Sequence, residues 1–562
     1  MYQKIIAIVL GIVISNLATI SEVLAQAQRA DGDRTSAQSG APSVAPAPIG
    51  AVLELSSSFY VAETKEQKPI RIDKVEIKGN TVFSDSELDK IVTPVEGKTV
   101  TFEQLLQVKN AVVKFYRDRG YISSGAFLPA QQLRDGKLTI RVIEGSLGAI
   151  EIEGLSRLNK QYITTRLPEL NRPIKISDLT QALRKLQDNP LIKEIEGELK
   201  VLEQGRNLLA LKIQENSPIQ TQLRFANTFS PTIGSFGGEA TVRHQNLLGF
   251  GDRLGASYTR TEGLERYGVD YSVPLNADGG TIAFSYQNAD NELIEEVISA
   301  YDIQADYEAL SLAIRQPVIE NETEELAVSV EIEALRSETF VLDDISFAFV
   351  DGLEDGQSKI RPLRLAQEYI RRGERDLIAA ESQFNVGLDI LDATTTATGI
   401  DGIFWSWQGN VQWIRAFNSE RDWLLKMSLA TQLSPDNLLP IEQLTVGGLG
   451  SVRGYRQNLI VGDNGVVGIV EGQLPLVKSS TWGNIYLAPF FDVGTIWSNL
   501  TDPQNSRSNT LASLGLGLNY QLGEFLDTQV FYGIPLIEAD DFGNGDTEER
   551  WGFVILVSPL SF

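Results

Sequence analysis

From residue 219 to the end, the chain is written in short alternating segments. In the clearest, Leu514, Leu516, Leu518, Tyr520 and Leu522 interleave with Gly515, Gly517, Asn519, Gln521 and Gly523. Trp405, Trp407, Val411 and Trp413 are set against Ser406, Gln408, Asn410 and Gln412. Trp423, Leu425, Met427 and Leu429 alternate with Leu424, Lys426, Ser428 and Ala430. A period of two sends alternate side chains to opposite faces of a strand, so one face is apolar and aromatic and the other is mostly polar or small. Strand starts fall near 219, 235, 252, 265, 280, 301, 324, 359, 377, 404, 421, 466, 484, 511, 526 and 551. Connections after strands 2, 4, 8, 10 and 14 are tight, as at Asn276 to Gly280 and Gly373 to Asp376, whereas those after strands 7, 9, 11 and 15 are long. An even count with short turns at one end and long loops at the other predicts a 16-stranded antiparallel transmembrane β-barrel over residues 217–562, its apolar face on lipid. A soluble sandwich would instead turn that face onto a second sheet.

Upstream, the period lengthens. Ile70, Ile72, Val75 and Ile77 predict a strand before the turn Gly79-Asn80. Ser84 and Glu87 are spaced as a capping box for a short helix to Val92. A longer helix begins at Thr101, with Glu103 nearby; it places Leu105, Val108, Val112 and Phe115 on one face and stops at Gly120. Strands Tyr121 to Leu128 and Lys137 to Ile143 complete a β-α-α-β-β unit over residues 70–145. The same order returns over 146–216: a strand to Ile152, a helix over 159–167, a helix capped by Ser177 and carrying Leu179, Leu183 and Leu186, then two strands. Helices on one face of each small α+β sheet leave an edge free to accept an extended peptide, unless the repeats only space the barrel from something else. Ahead of them, residues 1–25 read as a secretory signal, with the apolar run Ile5 to Ile14 after Lys4 and small residues Val23 and Ala25 before the cut. Residues 26–69 form a Pro/Ala/Ser-rich linker.

Composition narrows the chemistry. The 562 residues hold 49 basic and 74 acidic side chains, for a net charge of −25, which disfavours nucleic acid as a partner. With no cysteine and the single histidine His244, thiol catalysis, disulfides, thiolate metal sites and His-rich metal centres are excluded. No enzyme constellation, metal site or cofactor motif is expected. The longest connection, about 433–465, contains Gly447-Gly448-Leu449-Gly450-Ser451-Val452-Arg453-Gly454-Tyr455, but no lysine follows as in a phosphate loop. Downstream, Phe490-Phe491-Asp492-Val493-Gly494 lies in a strand whose lipid phase is Ile485, Leu487, Phe491 and Val493, so Asp492 faces the lumen. If the loop folds inward, Arg453 and Asp492 form a charge-assisted pair.

The two repeats, the barrel, Val452-Arg453-Gly454-Tyr455 and Phe490 to Gly494 together resemble the two-partner secretion (TpsB-type) transporters. These are the haemolysin activation/secretion branch of the barrels preceded by POTRA (polypeptide-transport-associated) domains. The short turn Asn246 to Asp252 is also similar to that superfamily. The resemblance runs from about residue 70 to the end. It implies an outer-membrane transporter, with its POTRA domains in the periplasm, exporting a large β-helical adhesin or haemolysin-like exoprotein. It further implies that the repeats catch the substrate unfolded, that the loop enters the barrel, and that Arg453 contacts Asp492. Val452, Gly454 and Tyr455 are then the loop motif, Phe490 and Gly494 the strand motif, and Phe562 the signal read by the barrel assembly machinery. A monomer is expected. The resemblance departs in two places: nothing before residue 70 clearly encodes a pore-plugging helix, and Trp551, Phe553, Ile555 and Val557 alternate in the phase opposite to Phe562. An insertase for other barrels shares these motifs and stays open as an alternative, with a solute porin behind it. A hydrated Arg–Asp pair contributes only about 0–1 kcal/mol, so backbone contacts around Gly447 to Gly454 are expected to do much of the holding.

Overall fold

The computed structural model describes residues 69–558 apart from 133, 204, 343–344, 351–352, 354–355, 398, 501–508 and 540–546, together with the dipeptide 45–46. The signal segment and Phe562 lie outside the described residues. The chain divides into two compact units, one over 30–216 and one holding 217–562.

In the first repeat, Lys74–Lys78 runs parallel to Lys137–Ile143, which pairs on its other side with Gly125–Phe127. A separate ribbon joins Ile70–Ile72 to Lys98–Val100. Helices α1 (Asp85–Val92) and α2 (Phe102–Asp118) pack Leu88, Val92, Leu105, Val108 and Val112 against Ile140 and Val142. The Ser84–Glu87 box is present. At Thr101 the reciprocal partner is Gln104 rather than Glu103, because Gln104 occupies the third helical position. Tyr116, not Phe115, completes the buried face of α2; its hydroxyl donates to Glu144 at 2.9 Å.

The second repeat places Arg206–Glu215 between Ser146–Glu153, which is parallel to it, and Ile192–Glu203, which is antiparallel. Ala45–Pro46 adds to the outer edge of Ile192–Glu203 in parallel register. Helix α3 is a short Lys160–Thr164 capped by Asn159. Helix α4 spans Ile176–Gln187 with Lys175 at its N-cap. Ser177 therefore sits inside the first turn, because the backbone already bends into the helix at Lys175.

The repetition extends to single atoms. Gly79 and Gly154 follow the first strand of each repeat at φ +88° and +87°, where a Cβ would strike the carbonyl oxygens of Val142 and Ile213. At the end of the last strand, Glu144 accepts from the Thr81 and Val82 N–H groups, and Glu215 accepts from those of Ser156, Arg157 and Leu158. Burial pushes the Glu215 carboxyl up, but these N–H donors and the Ser156 hydroxyl outweigh it and hold the group below its ordinary range.

No helix among the described residues is long and apolar enough to cross a membrane; strands do so instead. The barrel closes through β1 (Ile219–Ala226), β2 (Gly237–Gln245), β3 (Arg253–Arg260), β4 (Leu264–Pro274), β5 (Thr281–Glu292), β6 (Gln304–Glu320), β7 (Glu324–Val341) and β8 (Pro362–Arg372). It continues through β9 (Asp376–Gly387), β10 (Trp405–Ala416), β11 (Leu424–Leu433), β12 (Asn464–Val477), β13 (Asn484–Trp497), β14 (Thr510–Leu522), β15 (Leu526–Pro535) and β16 (Trp551–Val557). Gln357–Ile360 extends β8 along the same partner, β7. Connections after even-numbered strands are short, and those after odd-numbered strands are long, with 261–263 the exception. Leu514, Leu516 and Leu518 are half-exposed on the outer face. In β16, Trp551 is exposed while Gly552 and Val554 are buried, and pairing of Leu223–Ala226 with Val554–Val557 closes the ring. The lipid phase of that strand is thus the one its own aromatic residues set.

Candidate functional site: the loop inside the barrel

The connection from β11 to β12, residues 434–463, is too apolar to remain in water. Leu438, Leu439, Ile441, Val446, Val452, Leu459 and Ile460 are all buried, within two clusters shared with the barrel wall. Leu444–Val446 and Ile460–Gly462 form a small hairpin. Beyond it the tip turns on itself, the Gly447 N–H donating to Ser451 Oγ at 2.8 Å and Gly448 N–H to the Val452 carbonyl at 3.0 Å. That turn presents Arg453.

Arg453 is 4% exposed and Asp492 is fully buried. The guanidinium forks onto the carboxylate, with Nε to Oδ2 at 2.8 Å and Nη2 to Oδ1 at 2.9 Å, and the Arg453 backbone N–H adds a third bond to Oδ2 at 3.1 Å. Nη1 donates to Glu471 on β12 at 2.6 Å, and the guanidinium plane lies 3.5 Å from the Phe490 ring centroid. Glu471 and Phe490 are register partners across β12 and β13, so one cross-strand pair supplies both a second carboxylate and a π face. Lys426 Nζ lies 3.7 Å from Glu471. Burial changes the energetic expectation. Withdrawing one partner from a dry ion pair costs about 3–5 kcal/mol, against about 0–1 kcal/mol for an exposed one.

The neighbouring motif residues fit the tip to the wall. Val452 is fully buried against Val446 and Val467. Gly454, at φ +96°, lies so close to Gly533 on β15 that a Cβ would meet the Gly533 carbonyl carbon at 3.0 Å. Gly454–Tyr455 pairs with Glu548–Glu549 of the connection between β15 and β16. The Tyr455 hydroxyl sits between the carbonyl oxygens of Ala512 and Ile537, at 2.9 and 2.7 Å, donating to one of them, and accepts the Ile537 N–H at 3.2 Å. A Cβ on Gly494 would stand 2.6 Å from a Val446 methyl. Sequence reasoning thus placed Arg453, Val452, Gly454, Tyr455, Phe490, Asp492 and Gly494, and the fold brings them together around the loop tip. It missed Glu471, although a signal existed: an acidic residue in a lipid-crossing strand must take the lumen phase.

A sequence profile of the haemolysin secretion/activation proteins ShlB/FhaC/HecB matches residues 205–520, more than half of the chain. The chain belongs to that family. A ShlB-type POTRA domain profile matches residues 70–145. The Escherichia coli outer membrane transporter CdiB is 23% identical over 509 residues, covering 87% of this chain and 83% of CdiB. The Haemophilus influenzae heme/hemopexin transporter protein HuxB is 25% identical over 232 residues, covering 39% of this chain and 40% of HuxB. Among solved structures, Escherichia coli CdiB superposes with a TM-score of 0.65 at 20% identity, over 95% of this chain and 97% of that one. BamA from Haemophilus ducreyi reaches 0.55 at 16% identity, over 87% and 100%. The protein is therefore an outer-membrane transporter of the two-partner secretion class, with its POTRA repeats in the periplasm, and exoprotein export is its function.

Proposed function

We propose that Arg453 and Asp492 latch the loop in the lumen and that passage of the exoprotein requires its release. The observation that carries this reading is the buried fork between them, at 2.8 and 2.9 Å. Val452, Gly454 and Tyr455 shape the latch, and Phe490 and Gly494 form its seat. The POTRA repeats capture the passenger unfolded; the presence of Ala45–Pro46 on the Ile192–Glu203 edge supports an edge that accepts extended chain. The chain carries no nucleotide motif and catalyses no reaction, so export draws on passenger folding outside and on successive binding along the path. A single copy suffices, delivered by the barrel assembly machinery reading the C-terminal segment that ends in Phe562.

Deleting the gene and comparing secreted with outer-membrane proteomes tests the reading. Loss of one large exoprotein is expected. General loss of barrels would assign the protein to insertion instead, and an unchanged secretome would refute export.

A further inference from the structure

A second buried ion pair holds the loop at a different place and with the opposite polarity. Glu442, in the short turn Pro440–Glu442, is 4% exposed among Leu439 and Ile441. Its carboxylate receives Arg364 of β8, with Nη2 to Oε1 at 2.8 Å and Nη1 to Oε2 at 3.2 Å. Arg364 also donates to Glu333 on β7 at 2.6 Å and to Asn385 on β9 at 3.0 Å. The loop therefore gives a cation to β12 and β13 and an anion to β8, whose Arg364 is steadied by β7 and β9.

The apolar residues beside Glu442 form one continuous buried cluster that includes Leu438, Leu439, Ile441, Phe404, Val350 and Ile233. Ile233 lies between β1 and β2, and Phe404 borders β10. The cluster also takes in Leu264 of β4, Ala289 of β5, Tyr307 of β6 and Leu335 of β7, so it lines the wall from β1 round to β10, with the loop residues 438–441 packed over it. Its members lie at the long-loop end of the barrel. A dry apolar constriction of this kind blocks a hydrated pore until it is wetted. The limb is further tied by Ile400–Asp401 running parallel to Asn437–Leu438, and by Asp463, which accepts the Leu438 N–H at 3.0 Å.

We infer that residues 437–442 form an outer gate on the export path, with Arg364–Glu442 as its catch, released separately from the Arg453 latch. This rests on the transport reading. Withdrawing Glu442 leaves Arg364 paired with Glu333 but removes the only charge tie between this turn and the wall among the described contacts.

The chain has no cysteine, so a reversible staple tests the gate directly. Ile400 and Asn437 are register partners on paired backbones, a spacing that suits a disulfide. Full-length protein carrying Ile400→Cys, Asn437→Cys and Glu442→Ala is placed in a planar bilayer in potassium chloride. When it is reduced, open time is expected to rise about tenfold or more over native; when it is oxidised, conductance should fall to the native resting level and return with reductant. Glu442→Gln repeats the measurement with a smaller steric change, and heat-modifiable gel migration checks barrel assembly. On the otherwise native background, oxidation should stop passenger secretion and reductant should restore it. Equal conductance and secretion in the oxidised and reduced states overturn the gate while leaving transport intact. A disulfide-dependent conductance in a protein whose deletion changes no secreted protein would keep the gate and sink the transport reading.

Discussion

Replacing Arg453 by alanine removes three side-chain hydrogen bonds and one cation–π contact, and leaves Asp492 and Glu471 facing each other's field without their shared guanidinium. Asp492 is fully buried in the docked state, so the loss is that of a stranded interior charge, about 3–5 kcal/mol. At about 1.4 kcal/mol per tenfold, this is roughly two to three and a half powers of ten in the docking equilibrium. Moving a loop from 1:99 to 99:1 takes about 5.5 kcal/mol, so this one side chain supplies most of what the switch needs. The loop position can be read with Ser451→Cys, a near-isosteric change at a tip position only 3% exposed while docked, in a chain with no other thiol. In the Arg453→Ala background, the reaction of that thiol with a membrane-impermeant maleimide should accelerate about tenfold or more, while secretion is lost and the barrel still assembles. Arg453→Lys should fall between, because an ammonium keeps the charge but cannot fork onto a carboxylate. Native labelling together with native secretion by Arg453→Ala would refute the latch.

Other outcomes follow from neighbouring geometry. Gly494→Val should displace the loop tip from an assembled barrel, because its Cβ would meet the Val446 and Val452 methyls at 2.6 and 3.1 Å; raised ion conductance checks it. Tyr455→Phe leaves the Ala512 and Ile537 carbonyls without the hydroxyl and should cost about 1–3 kcal/mol of docking, read by the same maleimide assay. The lowered Glu215 carboxyl contributes stability that is present above the unfolded value, about 4.3, and is lost as pH falls through the folded value. Hydrogen exchange at Leu158 should therefore lose protection on acidification, and Glu215→Gln should remove that pH dependence. Leu183→Ala empties a fully buried position between α4 and its sheet and should destabilise the second repeat by about 2–5 kcal/mol, measured as exchange at its strand amides.

The barrel was legible because lipid enforces a period of two on every strand, and the strand starts read from that period lie close to the observed ones, as at 219, 324, 484, 526 and 551. Asp492 was legible for the same reason. Helix starts were less so: Ser177 and Glu103 are good capping residues by type, yet the turn of backbone begins at Lys175 in one case, and in the other the third helical position belongs to Gln104. The Arg364–Glu442 pair was not legible at all. Alternation assigns a side chain to the lumen but says nothing of its angle around the axis, so which charges meet across the pore depends on closure of the whole ring.

The docked tip also fixes the electrical character of the conduit. At rest, Arg453 offsets Asp492 and Glu471 on the lumen wall. If the loop withdraws as proposed, both carboxylates face the pore, with Lys426 Nζ 3.7 Å from Glu471. The open conduit should then be selective for cations, and acidic stretches of a passenger should cross more slowly than basic ones, so the closing element and the ion filter are the same few residues.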